Sequence, residues 1–266
     1  MSFVVREPGA GLAPFVKSLW LHRGEHAHAL ERVLPGDGLQ LLVNLDRDSL
    51  TCLRGDEWRD VTRIGGIGVV GLRSGPAAVD PREQRRIAGV AFRPGGAWPF
   101  FGAPMDELRN REVDLGDLWG PEARVLRDAM GDADDDGALD HLQRALLRRW
   151  PGNRQDPSVA HAVRALGAGA RVDATAERLG TSAATLRRRF LSKVGTTPKV
   201  FARVARLGRT LRSLGSGAPT SWAAFAVEQG FVDQSHLIRE LRDLGGLTPT
   251  EYAPREPGET LHVVID

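Results

Sequence analysis

The sequence has only one cysteine and no long apolar run. Cys52 has no second cysteine in the chain to pair with, which excludes an internal disulfide and fits a reducing compartment. No stretch approaches the roughly 18 consecutive apolar residues of a membrane-spanning helix. The first residues, 1–7, also lack the basic start and apolar core of a signal peptide. We therefore expect a cytoplasmic protein without a membrane partner.

Positive charge is concentrated in the last third of the chain. The whole sequence of 266 residues, long enough for two domains, carries a net charge of only +2. Residues 171–254 hold 13 basic and 7 acidic side chains, whereas residues 255–266 hold one basic and three acidic. This distribution is expected if the last third contacts a polyanion, although mildly basic domains are common.

The first part of the chain has the pattern of strands and turns. Apolar residues alternate with others over residues 39–45 and again over residues 88–92, and a glycine-interrupted apolar run covers residues 64–72. Turn-forming segments at residues 35–38 and 93–96 would break a helix. The pattern predicts a β-rich domain over residues 1–120, with a cupin-like barrel or a sandwich as its fold.

The period then becomes helical. Leu139, Leu142, Leu146 and Trp150 recur at helical spacing after an acidic start, and a polar, turn-rich segment follows at residues 151–157. We predict a helical connector and linker over 121–157, an all-α domain over 158–254 and a tail over 255–266. The fold class is therefore α+β with two domains.

The all-α domain contains two stretches with one plan, a short helix, a glycine turn and a capped second helix. In the first stretch the turn is at Gly180, and the second helix buries Leu186, Phe190 and Val194. In the second stretch Gly230 forms the turn and Asp233 the cap, with Leu237 and Leu241 buried. A helix predicted over residues 198–214 joins these two helix-turn-helix units.

These residues resemble the AraC/XylS-type transcription regulators over about residues 158–253. The matching segments are Gly230-Phe231-x-Asp233-Gln234-Ser235-His236-Leu237-x-Arg239, Gly246-x-Thr248-Pro249-x-Glu251-Tyr252, and Leu186-x-Arg188-x-Phe190 followed by Gly195-x-x-Pro198. Relatives often have phenylalanine where Leu237 and Leu241 stand, and a larger side chain than that of Ala184. The first departure preserves packing, and the second puts a direct base contact at Ala184 in doubt beyond a methyl contact to thymine.

The resemblance implies a sequence-specific DNA-binding regulator in which each second helix enters the major groove of double-stranded DNA. By the family's pattern, the DNA-facing positions are Ala184, Arg187, Arg188, Gln234, Ser235, His236 and Arg239. The alternatives to DNA contact are a solvated helix face for residues 187–189 and a capping or packing role for His236. The resemblance further implies RNA polymerase, a small-molecule effector and a second copy of the chain as partners, with no cofactor and no enzymatic activity.

The N-terminal residues 12–115 also resemble an uncharacterised module found ahead of such DNA-binding domains. The resemblance rests on residues 15–20, 34–38, 44–45 and 92–96. It names no ligand, and either an effector or dimerisation would suit this domain. Two roles are open for the aromatic side chains of this domain: they line an apolar effector pocket, or they simply belong to the core. These side chains are Trp20, Trp58, Trp98, Phe100 and Phe101.

An alternative is a cupin-like metalloenzyme or metal sensor that binds its ion through His26, His28 and Glu31, with His22 nearby. The spacing to Glu31 is one residue shorter than in cupins, and no later histidine lies on a predicted strand. Residues 24–30 equally suit an exposed hairpin loop. An alkyl-accepting role for Cys52, as in some DNA-repair proteins, is rejected because no base or cation is predicted beside it, so we expect a buried structural cysteine.

Overall fold

The computed structural model of the chain describes residues 2–150, 152, 155–256 and 259–265. Three residues of the predicted linker, Pro151, Asn153 and Arg154, lie outside these ranges. No helix of the described part is both long and apolar enough to cross a membrane.

The N-terminal part is built from two antiparallel β-sheets, which confirms the predicted β-rich domain. The strands of the described residues are β1 (Ser2–Arg6), β2 (Val16–Arg23), β3 (Glu31–Val33), β4 (Gln40–Asn44), β5 (Ser49–Arg54), β6 (Asp60–Gly65), β7 (Ile67–Val70), β8 (Ala77–Val79), β9 (Arg86–Phe92), β10 (Glu112–Asp114) and β11 (His262–Val264). One sheet has the order β1-β2-β9-β4-β7-β10 and the other the order β11-β3-β8-β5-β6.

The predicted alternation decides which face of these strands is buried. In β4 and the residue before it, Leu39, Leu41 and Val43 are all buried, as are Ala88, Val90 and Phe92 in β9. Leu41 pairs with Val90 on one side and with a residue of β7 on the other, so these side chains share the centre of the larger sheet. Cys52 lies in β5 and is buried, as expected.

Within the described ranges, four α-helices complete this core. They are α1 (Trp98–Phe101), α2 (Leu115–Trp119), α3 (Glu122–Gly131) and α4 (Asp135–Arg148). Asp134 caps α4 by accepting a hydrogen bond from the Gly137 N–H at 2.8 Å, as its acidic start predicted. The buried faces of α3 and α4 join the same hydrophobic cluster as the strands, because these amphipathic helices need an apolar surface to cover. Trp150 follows the end of α4 and is exposed.

The C-terminal part is helical, as predicted. Its helices are α5 (Pro157–Gly167), α6 (Val172–Arg178), α7 (Ala183–Val194), α8 (Pro198–Gly215), α9 (Trp222–Glu228) and α10 (Gln234–Gly245). The predicted joining helix corresponds to α8, which has Pro198 at its first turn. It contributes Phe201 and Ala205 to the core around α7, but Val204, Leu207 and Leu211 to the core around α10. One continuous helix is thus buried in both units and links them rigidly.

The chain then returns to the N-terminal domain. We call residues 255–256 and 259–265 the C-terminal segment. Its strand β11 pairs antiparallel with β3, with His262 opposite Val33 and Val264 opposite Glu31. Residues 262–264 of the predicted tail are therefore an edge strand of the smaller sheet, and three residues are too few to show the period of a strand.

Candidate nucleic-acid interface

Both helix-turn-helix units have the local structure that their sequence indicates. Gly180 and Gly230 adopt φ angles of 61° and 82°, in the left-handed region that glycine accepts without strain. Ser182 caps α7 by accepting from the Thr185 N–H at 3.2 Å, and Asp233 caps α10 by accepting from the His236 N–H at 2.7 Å. The predicted small residues of the first helices, Ala176 in α6 and Ala226 in α9, are buried.

The buried faces of α7 and α10 determine which side chains remain accessible. Leu186, Phe190 and Val194 are buried on α7, and Leu237 and Leu241 on α10. The substitution of leucine for the family's common phenylalanine therefore preserves the packing role. The remaining positions of the first two turns of both helices point away from these cores.

Six of the seven predicted DNA-facing residues are exposed: Ala184, Arg187, Arg188, Gln234, Ser235 and Arg239. In the described part of the chain, none of the three arginines makes a salt bridge or a side-chain hydrogen bond. Ala184, Arg187 and Arg188 have the spacing i, i+3, i+4 and share one face of α7, as Ser235 and Arg239 share one face of α10. Contact with DNA at these positions stays a prediction.

His236 is only half-buried and is partly engaged within its own unit. Its Nδ1 accepts a hydrogen bond from the Val232 N–H at 3.3 Å, and its ring packs edge-on against Phe231 with 5.4 Å between the ring centroids. This arrangement matches the capping and packing alternative. Since Nδ1 is the acceptor, the neutral ring carries its proton on Nε2, which leaves one donor for another partner.

A buried charge cluster that the sequence did not reveal joins α8 to α10. Arg203 donates to both carboxylate oxygens of Glu240 at 2.9–3.1 Å, and Arg206 donates to Oε1 at 2.9 Å. The Arg206 guanidinium also lies over the Phe231 ring, 4.6 Å from its centroid. Burial raises the pKa of Glu240, but the hydrogen bonds from the two arginines outweigh it and hold this pKa below its usual value. Glu240 on the inner face of α10 thus ties this helix to α8.

The N-terminal domain packs against both units away from the predicted DNA-facing residues. Leu72 belongs to the hydrophobic cluster around α7, and Leu34 belongs to the cluster around α10. At the end of α7, the Lys193 ammonium lies 4.7 Å from the centroid of the Trp98 ring and pairs with Asp156 at 2.6 Å. Each unit therefore includes an N-terminal residue in its core.

A second polar site lies in the N-terminal domain, around Glu31. The structure brings His26, His28 and Glu31 together, with one potential ligand atom of each within 4.8 Å of the others. His28 Nε2 is 2.6 Å from Glu31 Oε1, and His26 Nε2 is 3.0 Å from the Nε2 of His22. Residues 24–30 form a loop, but not the expected exposed hairpin loop, because β2 and β3 belong to different sheets and both histidines of the loop are half-buried.

A later histidine does lie on a strand, contrary to the prediction, because His262 begins β11. Its Nδ1 is 3.0 Å from Glu31 Oε2. Arg255 also donates to both oxygens of Glu31, at 2.8 and 3.0 Å. Burial raises the pKa of Glu31, but the hydrogen bonds from His262 and Arg255 lower it by more. The pKa therefore lies below its usual value, and the carboxylate is charged.

A cavity of about 310 Å³ adjoins this cluster. Trp20, Phe3 and Ile87 are among its apolar lining residues, and His22 and His26 are among its polar ones. Burial, followed by the positive charge of Arg255, lowers the pKa of both histidines and favours their neutral form. Of the other aromatic candidates, Phe100 and Phe101 are in the core. Trp58 and Trp98 are half-buried, and their rings lie against the positive charges of Arg32 and Lys193, respectively.

Two tandem helix-turn-helix units on one linker helix, with basic outer faces, define a DNA-binding domain. Residues 175–255 match a family model described as a helix-turn-helix domain, and residues 5–114 match a domain of unknown function, DUF6597. The C-terminal region is an AraC-type helix-turn-helix domain, which confirms the resemblance on which the site predictions rest.

Among solved structures, the chain is similar to several of ToxT from Vibrio cholerae. It is 11% identical to unsaturated fatty acid bound wild-type ToxT from strain SCE256, covering 95% of each chain with a TM-score of 0.43. It is 10% identical to ToxT in its P21 crystal form, covering 95% of this chain and 98% of that chain with a TM-score of 0.46. It is 9% identical to ToxT from strain O395 bound to (E)-4-(8-methylnaphthalen-1-yl)but-3-enoic acid, covering 95% of this chain and 98% of that chain with a TM-score of 0.47. No curated protein matches the chain.

Proposed function

We propose that the protein is a sequence-specific transcription regulator that reads two adjacent major-groove segments of DNA with α7 and α10. One observation carries the proposal. Arg203 and Arg206 of α8 are used internally, in pairs with Glu240, whereas Arg187, Arg188 and Arg239 have no partner in the described ranges. Arginines that are exposed, unpaired and on the first turns of such helices are suited to phosphate and guanine contacts.

We further propose different roles for the two units. In the second unit, Gln234 and Arg239 present side chains that hydrogen-bond bidentately to adenine and guanine, with Ser235 and the free Nε2 of His236 beside them. In the first unit, Ala184 has no polar atom beyond its backbone. Arg187 and Arg188 would therefore serve phosphate anchoring more than base reading, so α10 carries most of the sequence discrimination.

The N-terminal domain would control this binding through an effector in the cavity beside Trp20, a second copy of the chain, or both. Leu72 and Leu34 of the N-terminal domain support such control, because each packs in the hydrophobic core of one DNA-binding unit. RNA polymerase would be the partner of a bound activator. We propose no enzymatic activity for the site around Glu31.

Selection of bound fragments from genomic DNA with the purified protein tests the main proposal. Enriched sites should contain two half-motifs about one helical turn, roughly 10 base pairs, apart. On such a site, Arg239→Ala should weaken binding by about 1–3 kcal/mol, with unchanged urea unfolding.

The matched control is Arg124→Ala, an exposed arginine of α3, which should leave the affinity unchanged. All titrations are made at one salt concentration, since phosphate contacts make affinity depend on salt. No enrichment at any salt concentration would contradict the proposed function, and wild-type affinity of the Arg239 variant would contradict the role of α10.

A further inference from the structure

Four side chains near the cavity offer donors that suit a transition metal. His22 lies at the end of β2, His26 and His28 lie in the following loop, and Glu31 begins β3. A short loop between two strands thus brings three imidazoles and a carboxylate together. Imidazole nitrogen and carboxylate oxygen are the donors that Zn²⁺ and related divalent ions take, whereas Mg²⁺ and Ca²⁺ prefer oxygen alone.

Three of these donors lie near the spacing of a metal site, and the fourth, His22, contacts one of them. Ligand atoms around a zinc ion with bonds of 2.0–2.1 Å are separated by about 3.4 Å. Here the Nε2 atoms of His22 and His26 are 3.0 Å apart, and the ligand atoms of His26, His28 and Glu31 lie within 4.8 Å of one another. His26, His28 and Glu31 thus supply three ligands, and His22 is the nearest side chain for a fourth.

Glu31 also holds the C-terminal segment in place. Its two oxygens accept from Arg255 at 2.8 and 3.0 Å, and Oε2 lies 3.0 Å from His262. Arg255 is paired with Glu259 as well. The carboxylate is buried, with its side chain only 1% exposed, so these contacts exclude water from its oxygens. A divalent ion on the same oxygens would lie next to the Arg255 guanidinium, and the two positive charges would repel each other.

We propose that His22, His26, His28 and Glu31 form a site for a divalent transition metal of the zinc class, and that the ion competes with Arg255 and His262 for the Glu31 carboxylate. Metal binding then detaches Arg255 and His262 and loosens β11 from β3. Because β11 follows directly on the second helix-turn-helix unit, and Val263 packs in the core of that unit, the ion weakens a link between the two domains. This regulatory consequence rests on the proposed function, whereas metal binding itself does not.

The test is a titration of tag-free, chelator-treated full-length protein with ZnCl2, followed by calorimetry. We expect one equivalent to bind, and His26→Ala to weaken this binding at least about tenfold, because even the loss of a group that orients a ligand costs about 10–100-fold. His141→Ala, a histidine of α4 far along the chain from the site, is the matched control for incidental zinc binding and should bind like the wild type. Absence of a one-equivalent event, or equal binding by the His26 and His141 variants, would overturn the site.

Two further measurements test the competition. Arg255→Ala removes the competing cation, so it should tighten zinc binding at least about threefold. Amide hydrogen exchange of residues 259–265 should become faster when zinc is added to the wild type, since the Ile265 N–H bonds to the Leu30 carbonyl at 3.1 Å. Weaker zinc binding by the Arg255 variant, or unchanged exchange in this segment, would refute the competition. Neither measurement contains DNA, so a failure here is distinct from a failure of the proposed function.

Discussion

Replacing Glu240 with glutamine tests how the linker helix positions the second recognition helix. The substitution preserves the size of the side chain but removes the charge that Arg203 and Arg206 share. Breaking a buried ion pair on one side costs about 3–5 kcal/mol when the charge that is left behind stays dry. Here the two arginine side chains are 32% and 22% exposed, so water can solvate them again. We therefore expect a loss of about 2 kcal/mol in the free energy of unfolding.

Urea unfolding followed by circular dichroism measures this loss, and Asp243→Asn is its control. Asp243 also pairs with Arg203, at 3.3 Å, but its side chain is 67% exposed. Its replacement should cost less than about 0.5 kcal/mol, because exposed pairs contribute little. Equal losses for the two variants would refute the reasoning, since burial would then not decide the strength of the Glu240 cluster.

The pH dependence of the same variant supplies a second check. The pKa of Glu240 is lowered in the folded protein, so its contribution is fully present above its unfolded pKa, about 4.3, and is lost as the pH falls through the folded value. The difference in stability between wild type and Glu240→Gln should thus be constant from about pH 7 to pH 5 and shrink only at more acidic pH. A difference that shrinks between pH 7 and pH 5 would contradict the assignment to Glu240.

Two more predictions concern the turns and the charges of the interface. Gly230→Ala places a Cβ at φ 82°, where the nearest atom, of Arg206, is 4.0 Å away, so we expect only the backbone cost of about 1–2 kcal/mol in urea unfolding. Gly167→Ala, where φ is not positive and nothing lies within 4 Å, should not destabilise, and an equal loss at both sites would refute the argument. Arg187→Ala should reduce the slope of log affinity against log salt by about 0.9, one phosphate contact, in titrations from low to moderate salt. An unchanged slope, like that expected for Arg124→Ala, would show that Arg187 does not contact a phosphate.

The helix-turn-helix units could be predicted from the sequence because their structure depends on neighbours in the chain. The cap at Asp233 bonds to an amide three residues later, the turn needs the left-handed conformation of Gly230, and the buried leucines recur every four residues. All of these interactions lie within one or two helical turns. The predicted alternation of the central strands was correct for the same reason, since the side-chain period of a strand is itself local.

The exposure of the DNA-facing residues followed from the same helical period. Once Leu237 and Leu241 are buried, Arg239 must point elsewhere. His236 is different, because its engagement with Val232 and Phe231 depends on the rotamer of its ring, which the period of a helix does not determine.

Only the tertiary structure decided which distant charges meet. Glu240 binds Arg203 and Arg206 across 37 and 34 residues, because α8 and α10 pack side by side. His262 reaches Glu31 across 231 residues, because the C-terminal segment pairs with β3 in one register. No periodic pattern records such a register, and a three-residue strand is too short to show one. The structure of each local unit is thus determined by residues close together in the chain, whereas the contacts that join the domains depend on how those units pack.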